Sequence, residues 1–226
     1  MLLQIEQPNP TTGHDVFISF RGSDVRDRFV AHLRAALHRE GVTSFLDDDS
    51  RHLPRGENLE EAIPRAIERS RISVVVLSRN YATSEWCLDE LVTIMRCCTG
   101  NSTVGSRASQ VAIPIFYHLP EELSGCYQKD LDRHKRTHTY ERVDGWLRAL
   151  DWVARIAGWV VPAAGRSEAR LVEKIARAIR WKMDHKLVMM ERDPSADNGR
   201  NHMNMRIITI GGATVMIIVI IAEKNE

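Results

Sequence analysis

Trp86 and Glu90 stand four residues apart in Ser84-Glu-Trp-Cys-Leu-Asp-Glu90, a stretch that opens on a serine suited to capping a helix. At about 100° per residue the two side chains are separated by about 40°. They lie outside the arc of about 80° holding Leu88, Leu91, Met95 and Cys98, which is predicted to face the core. A flat apolar ring beside a carboxylate is an arrangement that can stack and orient a small molecule. The plainer alternatives are a solvated helix face for Glu90 and interface packing for Trp86. Two further pairs have binding chemistry. In Arg21-Gly22 and Arg55-Gly56 the glycine permits close backbone approach and the guanidinium can pair with phosphate oxygens, or each pair is a surface turn. The three carboxylates Asp47 to Asp49 cannot all face one ion from an extended chain and lack further ligands at calcium-loop spacing, so no metal is expected there. The nine histidines are scattered, no Cys-x-x-Cys occurs, and Cys87 is expected to pack rather than react.

These residues need a scaffold, and the hydrophobic pattern supplies one. Asp15-Val-Phe-Ile-Ser-Phe20 reads as a buried strand, followed by a helix capped by Ser23 or Asp24. That helix carries Val25, Phe29, Leu33 and Leu37 on one stripe and ends at Gly41. Val42 to Leu46 forms a second strand, and Asp47 to Glu57 a polar loop. A helix over about 58–70 contains Pro64, which predicts a kink or a late start. Ile72 to Leu77 and Val111 to Tyr117 are apolar runs of strand length, the kind that is covered on both faces of a parallel sheet. Between them runs the helix of Trp86 and Glu90, over about 84–98. Helical patterns near 144–158 and 167–186 complete the chain's ordered part. Strand and helix alternate, which predicts an α/β fold of the flavodoxin-like kind. It should have a parallel sheet of about five strands and helices on both faces. Such sheets place functional groups at the carboxyl ends of strands, here 20–24, 47–56 and 78–90.

Among 226 residues, 31 are basic and 30 acidic, interspersed without long runs, which gives no basic face for specific nucleic acid. Cys87, Cys97, Cys98 and Cys126 follow no secretory signal, so a reduced, cytoplasmic protein is expected. The division predicted is a lead-in over 1–13, one domain over 14–186, a polar linker over 187–206, and a charge-free segment from Ile207 to Ala222. As a helix the last would span about 24 Å against a hydrocarbon core of about 30 Å, so a C-terminal membrane anchor is expected. The alternative is a strand-like tail rich in β-branched residues.

Five segments in order carry a family resemblance. Asp15-Val-Phe-Ile-Ser-Phe-Arg-Gly22, Phe45-Leu-Asp-Asp48 with Leu53-Pro-Arg-Gly56, Asn80-Tyr-Ala-Thr-Ser-Glu-Trp-Cys-Leu-Asp-Glu-Leu91, Ile113-Pro-Ile-Phe-Tyr117 and Trp146-Leu-Arg-Ala-Leu150 resemble the plant-type Toll/interleukin-1 receptor (TIR) domain. The likeness covers about 170 residues. Two places depart from it. His118-Leu-Pro-Glu-Glu-Leu-Ser-Gly125 replaces the family's usual Asp-Pro-Ser segment. Ala31-His32 stands where a Ser-His pair at a self-association surface is common. No GxxxxGK[ST] motif follows, so the chain resembles a TIR-only relative without nucleotide-binding and leucine-rich-repeat domains.

The resemblance implies an enzyme that cleaves the nicotinamide–ribose bond of NAD or NADP, with no cofactor and no metal, in innate immune signalling and cell death. Glu90 is then the catalytic carboxylate and Trp86 its stacking neighbour. Arg21, Gly22, Arg55 and Gly56 are substrate-binding, and His32 contributes to self-association that raises activity. One carboxylate suffices in principle, because nicotinamide leaves a cationic pyridinium as a neutral ring and needs no general acid. The oxocarbenium-like transition state needs only negative charge near the ribose. The competing expectation is a non-catalytic adaptor that binds other TIR domains.

Overall fold

The structure is a computed structural model that describes residues 14–46, 59–100, 110–119, 124–163, 168–189, 204–210 and 213–219. Its centre is a five-stranded sheet in the order β2-β1-β3-β4-β5, with every pairing parallel. The strands are β1 (Val16–Phe20), β2 (Ser44–Leu46), β3 (Ile72–Leu77), β4 (Val111–Tyr117) and β5 (Trp159–Val161). This is the doubly wound, flavodoxin-like order expected from the alternating pattern. In β1 and β3 every residue is buried, as continuous Val/Ile/Phe runs require when helices cover both faces.

The period-2 alternation of the strands divides the core in two. Val16, Ile18, Phe20, Val74 and Val76 pack under the helices flanking the chain's ends, α1 (Gly22–Val25), α2 (Ala31–Arg39) and α7 (Glu168–Met189). Phe17, Val75 and Leu77 face α3 (Leu59–Arg69), α4 (Glu85–Cys98), α5 (Ser124–His134) and α6 (Tyr140–Ala154). Ser19 and Ser73 are polar residues of the strands with the same alternation, and Ser19 lies fully buried on the face turned toward α4.

The first helix differs in detail from the expected one. It begins at Gly22 with Arg21 as N-cap and no side-chain cap, so neither Ser23 nor Asp24 has the capping role. A π-helical turn over Arg26–Val30 separates α1 from α2. Apolar residues at strict four-residue spacing drift by about 40° per step on an α-helix. The wider π turn takes up that drift and keeps Val25, Phe29, Leu33 and Leu37 buried together. α2 ends as expected at Gly41, whose φ of 70° suits glycine. Pro64 lies inside α3. Ser84 caps α4 by accepting the Cys87 N–H at 3.4 Å.

Two elements, α5 and the three-residue β5, have no counterpart among the expected ones, and α6 starts earlier than the pattern near 144–158, at a Thr139 cap. The tail is a larger correction. β6 (Asn204–Ile210) and β7 (Ala213–Val219) form an antiparallel pair in which Ile207 lies opposite Met216. Within the segment expected as a membrane-anchoring helix, residues 207–210 and 213–219 are therefore extended backbone. No helix among the described residues is long and apolar enough to cross a membrane.

β5 can join β4 only because Gly158 has no side chain. A Cβ there would stand 2.4 Å from the Pro114 carbonyl oxygen and 2.9 Å from the Phe116 ring. The carbonyl belongs to a strand paired on both sides and cannot yield. Gly158→Ala is expected to cost about 1–3 kcal/mol through overpacking. A thermal melt tests this: an unchanged midpoint would mean that β5 moves off β4 without penalty.

Candidate functional site

Glu90 lies on α4 and points under the sheet. It is only 4% exposed, against the expectation of a side chain clear of the core. The correction follows from how α4 packs. The buried positions Cys87, Leu88, Glu90, Leu91 and Ile94 span about 160° of the helix. Glu90 forms one border of that arc, and Trp86, 51% exposed, lies about 40° beyond it. The expected stripe was centred too far the other way, and Met95 and Cys98 are half-buried.

A buried carboxylate needs partners, and β1 supplies one. The Ser19 hydroxyl donates to Glu90 Oε2 at 2.6 Å. Ser19 Oγ also lies 2.8 Å from the Tyr81 hydroxyl, which in turn lies 3.0 Å from the Cys87 carbonyl oxygen as donor. Burial pushes the Tyr81 phenol well above its ordinary value, and the electrostatic influence of neighbouring Cys87 and Glu90 adds to this. Tyr81 therefore keeps its proton. Three contacts are then served by two hydroxyl hydrogens while Glu90 is ionised. A proton or an amide hydrogen at Glu90 would let each group donate once along the chain to the Cys87 carbonyl. Ser19 and Tyr81 were absent from the expected site. The signal for Ser19 was present, as a hydroxyl in the middle of a fully apolar strand.

Above Glu90 a cleft of about 420 Å³ opens between α3 and α4, within the size range of small-ligand sites. Ile63, Pro64 and Ile67 form its apolar wall, and Trp86, Glu90 and Thr93 line the α4 side. Glu85, Asp89 and Arg142 make a charged rim. Arg142 bonds Asp89 Oδ2 at 2.7 Å, and that bond, against partial desolvation, raises its pKa. Trp86 and Glu90, paired by their four-residue spacing, thus share one cavity. One is a buried charge-bearing group and the other an exposed aromatic plate.

The remaining expected residues are spread more widely. Arg21 and Gly22 follow β1 and are half-buried; the Arg21 Nε is buried without a hydrogen-bond partner among the described residues. Neither lines the cleft. Arg55 and Gly56 lie outside the described residues. His32 is exposed on α2.

The neighbouring Asp24 has a task that sequence reading assigned wrongly. It accepts the Ser78 hydroxyl at 2.6 Å, the Asn80 N–H at 3.0 Å and the Asn80 side-chain amide at 3.1 Å. It therefore ties α1, the short helix after β1, to the turn after β3. Partial burial pushes its carboxyl upward, but the bonds from Ser78, Asn80 and Ser23 outweigh this and hold it below its ordinary value. A depressed folded-state value means the contribution is full above the unfolded pKa and fades as pH falls below about 4. Asp24→Ala is expected to cost about 1–3 kcal/mol, because Ser78 and Asn80 lose their acceptor. The cost should be read by urea denaturation at pH 7 and should shrink toward pH 3. A loss independent of pH would exclude the charge as its source.

Comparison with known proteins agrees with this geometry. The sequence model of the TIR domain matches residues 13–204. The disease resistance-like protein DSC1 of Arabidopsis thaliana is 38% identical over 180 residues, which is 76% of this chain and 14% of that protein. The disease resistance protein RPV1 of Vitis rotundifolia is 38% identical over 173 residues, 75% of this chain and 12% of its own length. The chain therefore spans about an eighth of the curated relatives it matches. Among solved structures, the TIR domains of the activated Roq1 resistosome directly recognizing the pathogen effector XopQ superpose with a TM-score of 0.64. They share 32% identity, over 74% of this chain and 99% of theirs.

Proposed function

The chain belongs to the TIR domain family, and on that footing we propose that it cleaves the nicotinamide–ribose bond of NAD or NADP in plant immune signalling, with Glu90 as the catalytic residue. The observation that carries this reading is the buried Glu90 carboxylate, fixed by Ser19 in the wall of a ligand-sized cleft beside exposed Trp86. The bond between ribose C1′ and the pyridinium nitrogen breaks, and its electron pair neutralises the departing ring. Positive charge gathers on the ribose, where a positioned carboxylate lowers its energy in a low-dielectric site. Water then attacks C1′ and loses a proton. Trp86 offers a plate on which a flat ring can stack. Arg21 and Arg55 are suited to the pyrophosphate, each with a glycine beside it.

Immune signalling is supported by the relatives, which are disease resistance proteins, and by a structural neighbour within a resistosome. The same neighbour supports self-association and contact with other TIR domains, with exposed His32 on α2 as a contributor. That exposure also favours the second reading, an adaptor without catalysis that joins TIR domains. Concentrated protein incubated with NAD and read by nucleotide chromatography separates the two. Release of nicotinamide supports the enzyme. Intact NAD, even in crowded or clustered samples, leaves the adaptor.

A further inference from the structure

We propose that Glu85, His134 and His138 form a zinc-binding site that bridges the start of α4 to the end of α5 and the connection that follows it. One carboxylate oxygen of Glu85 and one ring nitrogen of each histidine lie within 4.8 Å of one another. The set is chemically suited to Zn²⁺, two neutral imidazoles and one carboxylate, with a fourth tetrahedral position left for water. Ligands about 2.0–2.1 Å from a tetrahedral zinc stand roughly 3.3 Å apart, so the group need contract or spread only by about an ångström or less at each position.

Two features of the surroundings point to a ligand rather than to a simple polar cluster. First, His134 is 4% exposed, and its Nε2 lies 3.0 Å from the Ala82 carbonyl oxygen. A ring N–H held by a backbone carbonyl fixes the tautomer and leaves the other nitrogen basic, which is the usual support behind a metal-bound histidine. The His134 Nδ1 has no hydrogen-bond partner among the described residues. Second, Trp146 holds both rings from the apolar side, with centroids 5.1 Å and 5.2 Å from its own. The His138 side chain is 16% exposed and Glu85 42%, so an ion has a path from solvent.

Without the ion, Arg142 occupies part of this task. It stands 3.3 Å from His138 Nδ1 and 3.5 Å from Glu85 Oε2. Arginine can only donate, so Nδ1 accepts and the His138 Nε2–H donates to Glu85 at 2.9 Å. Zinc at Nε2 displaces that hydrogen and shifts the tautomer. Arg142 then withdraws to its shorter bond with Asp89. Glu85 directly precedes Trp86, so an ion here would clamp the first turn of α4. The inference stands on this geometry and is independent of the catalytic reading.

The test uses the full chain after chelation. Zn²⁺ is titrated calorimetrically, and Co²⁺ serves as a spectroscopic probe. The expected result is one equivalent bound, with visible bands of a tetrahedral cobalt centre and no thiolate charge-transfer band. Binding should weaken by at least about tenfold in His138→Gln and in Glu85→Gln. Both variants touch partly exposed side chains, and their folding is checked by circular dichroism. Arg142→Gln should bind zinc severalfold more tightly, because a competing cation is gone. Failure of the wild type to bind overturns the proposal, as does equal affinity in both ligand variants. So does a thiolate band that vanishes in Cys97→Ser or Cys98→Ser.

Discussion

Glu90→Gln is expected to lower NAD cleavage by about 10²–10³-fold while leaving the melting temperature unchanged or raised. The activity loss is the scale associated with removing one electrostatic stabiliser from a transition state. The stability result is the more discriminating half. Glu90 is buried, and its carboxylate shares two hydroxyl hydrogens with Ser19, Tyr81 and the Cys87 carbonyl across three contacts. A glutamine amide supplies the missing hydrogen to Ser19. Ser19 can then donate to Tyr81, and Tyr81 to the carbonyl. It also removes a charge from a low-dielectric position. Glu90→Ala should be equally inactive but less stable, because it empties a buried site and strands the Ser19 hydroxyl. Ser19→Ala should keep the carboxylate and part of the activity, so its loss should be smaller than that of Glu90→Gln. Nicotinamide release and a melt on each variant give the comparison. Full activity in Glu90→Gln would falsify the assignment of this carboxylate.

The burial of Glu90 departs from the position that helical phase predicts, and the reason is physical. Four-residue spacing brought Trp86 and Glu90 to one side of a helix, and the cleft does hold both. Helical phase alone could not say how wide the buried arc would be. α4 packs against the sheet with α3 and α6 on either flank, so the arc runs past the leucines to Glu90. The partner, Ser19, is 71 residues away and becomes a neighbour only through the β1-β3 pairing, which no local period reports.

Asp24 shows the same limit from the other side. An aspartate at a helix start reads locally as a cap. Its best donors, Ser78 and Asn80, arrive from another strand end and win over the local bond. Long apolar strands were legible because their burial is written in every residue, whereas β5 has three residues and no pattern to read. In the tail, a charge-free run of sixteen residues approaches the length of a membrane helix but has the composition of a strand. Isoleucine, valine and threonine favour strands because their branched side chains fit a pleated surface, and the antiparallel pair agrees with that preference.

Trp146→Ala is expected to destabilise the domain by about 3–5 kcal/mol, the largest stability effect of any single change considered. Trp146 is fully buried in α6, in the layer that carries the cleft. Its indole N–H donates to Asp89 Oδ1 at 2.8 Å, and the Arg142 guanidinium lies 4.9 Å from the ring centroid. Truncation therefore creates a cavity and also releases Asp89 and Arg142, two residues of the cleft rim. For a domain of this size each kcal/mol moves the midpoint by about 2–4 °C, so the melt should fall by roughly 10 °C. Trp146→Phe separates the two contributions. It retains most of the apolar volume and loses the bond to Asp89, so it should cost less, about 1–3 kcal/mol. If Asp89 and Arg142 shape the cleft through this ring, the phenylalanine variant should show a raised KM with little change in kcat. Urea denaturation and NAD kinetics on both variants provide the readout. Equal stability of Trp146→Ala and wild type would mean that α6 does not anchor the cleft, and that its rim is held from elsewhere.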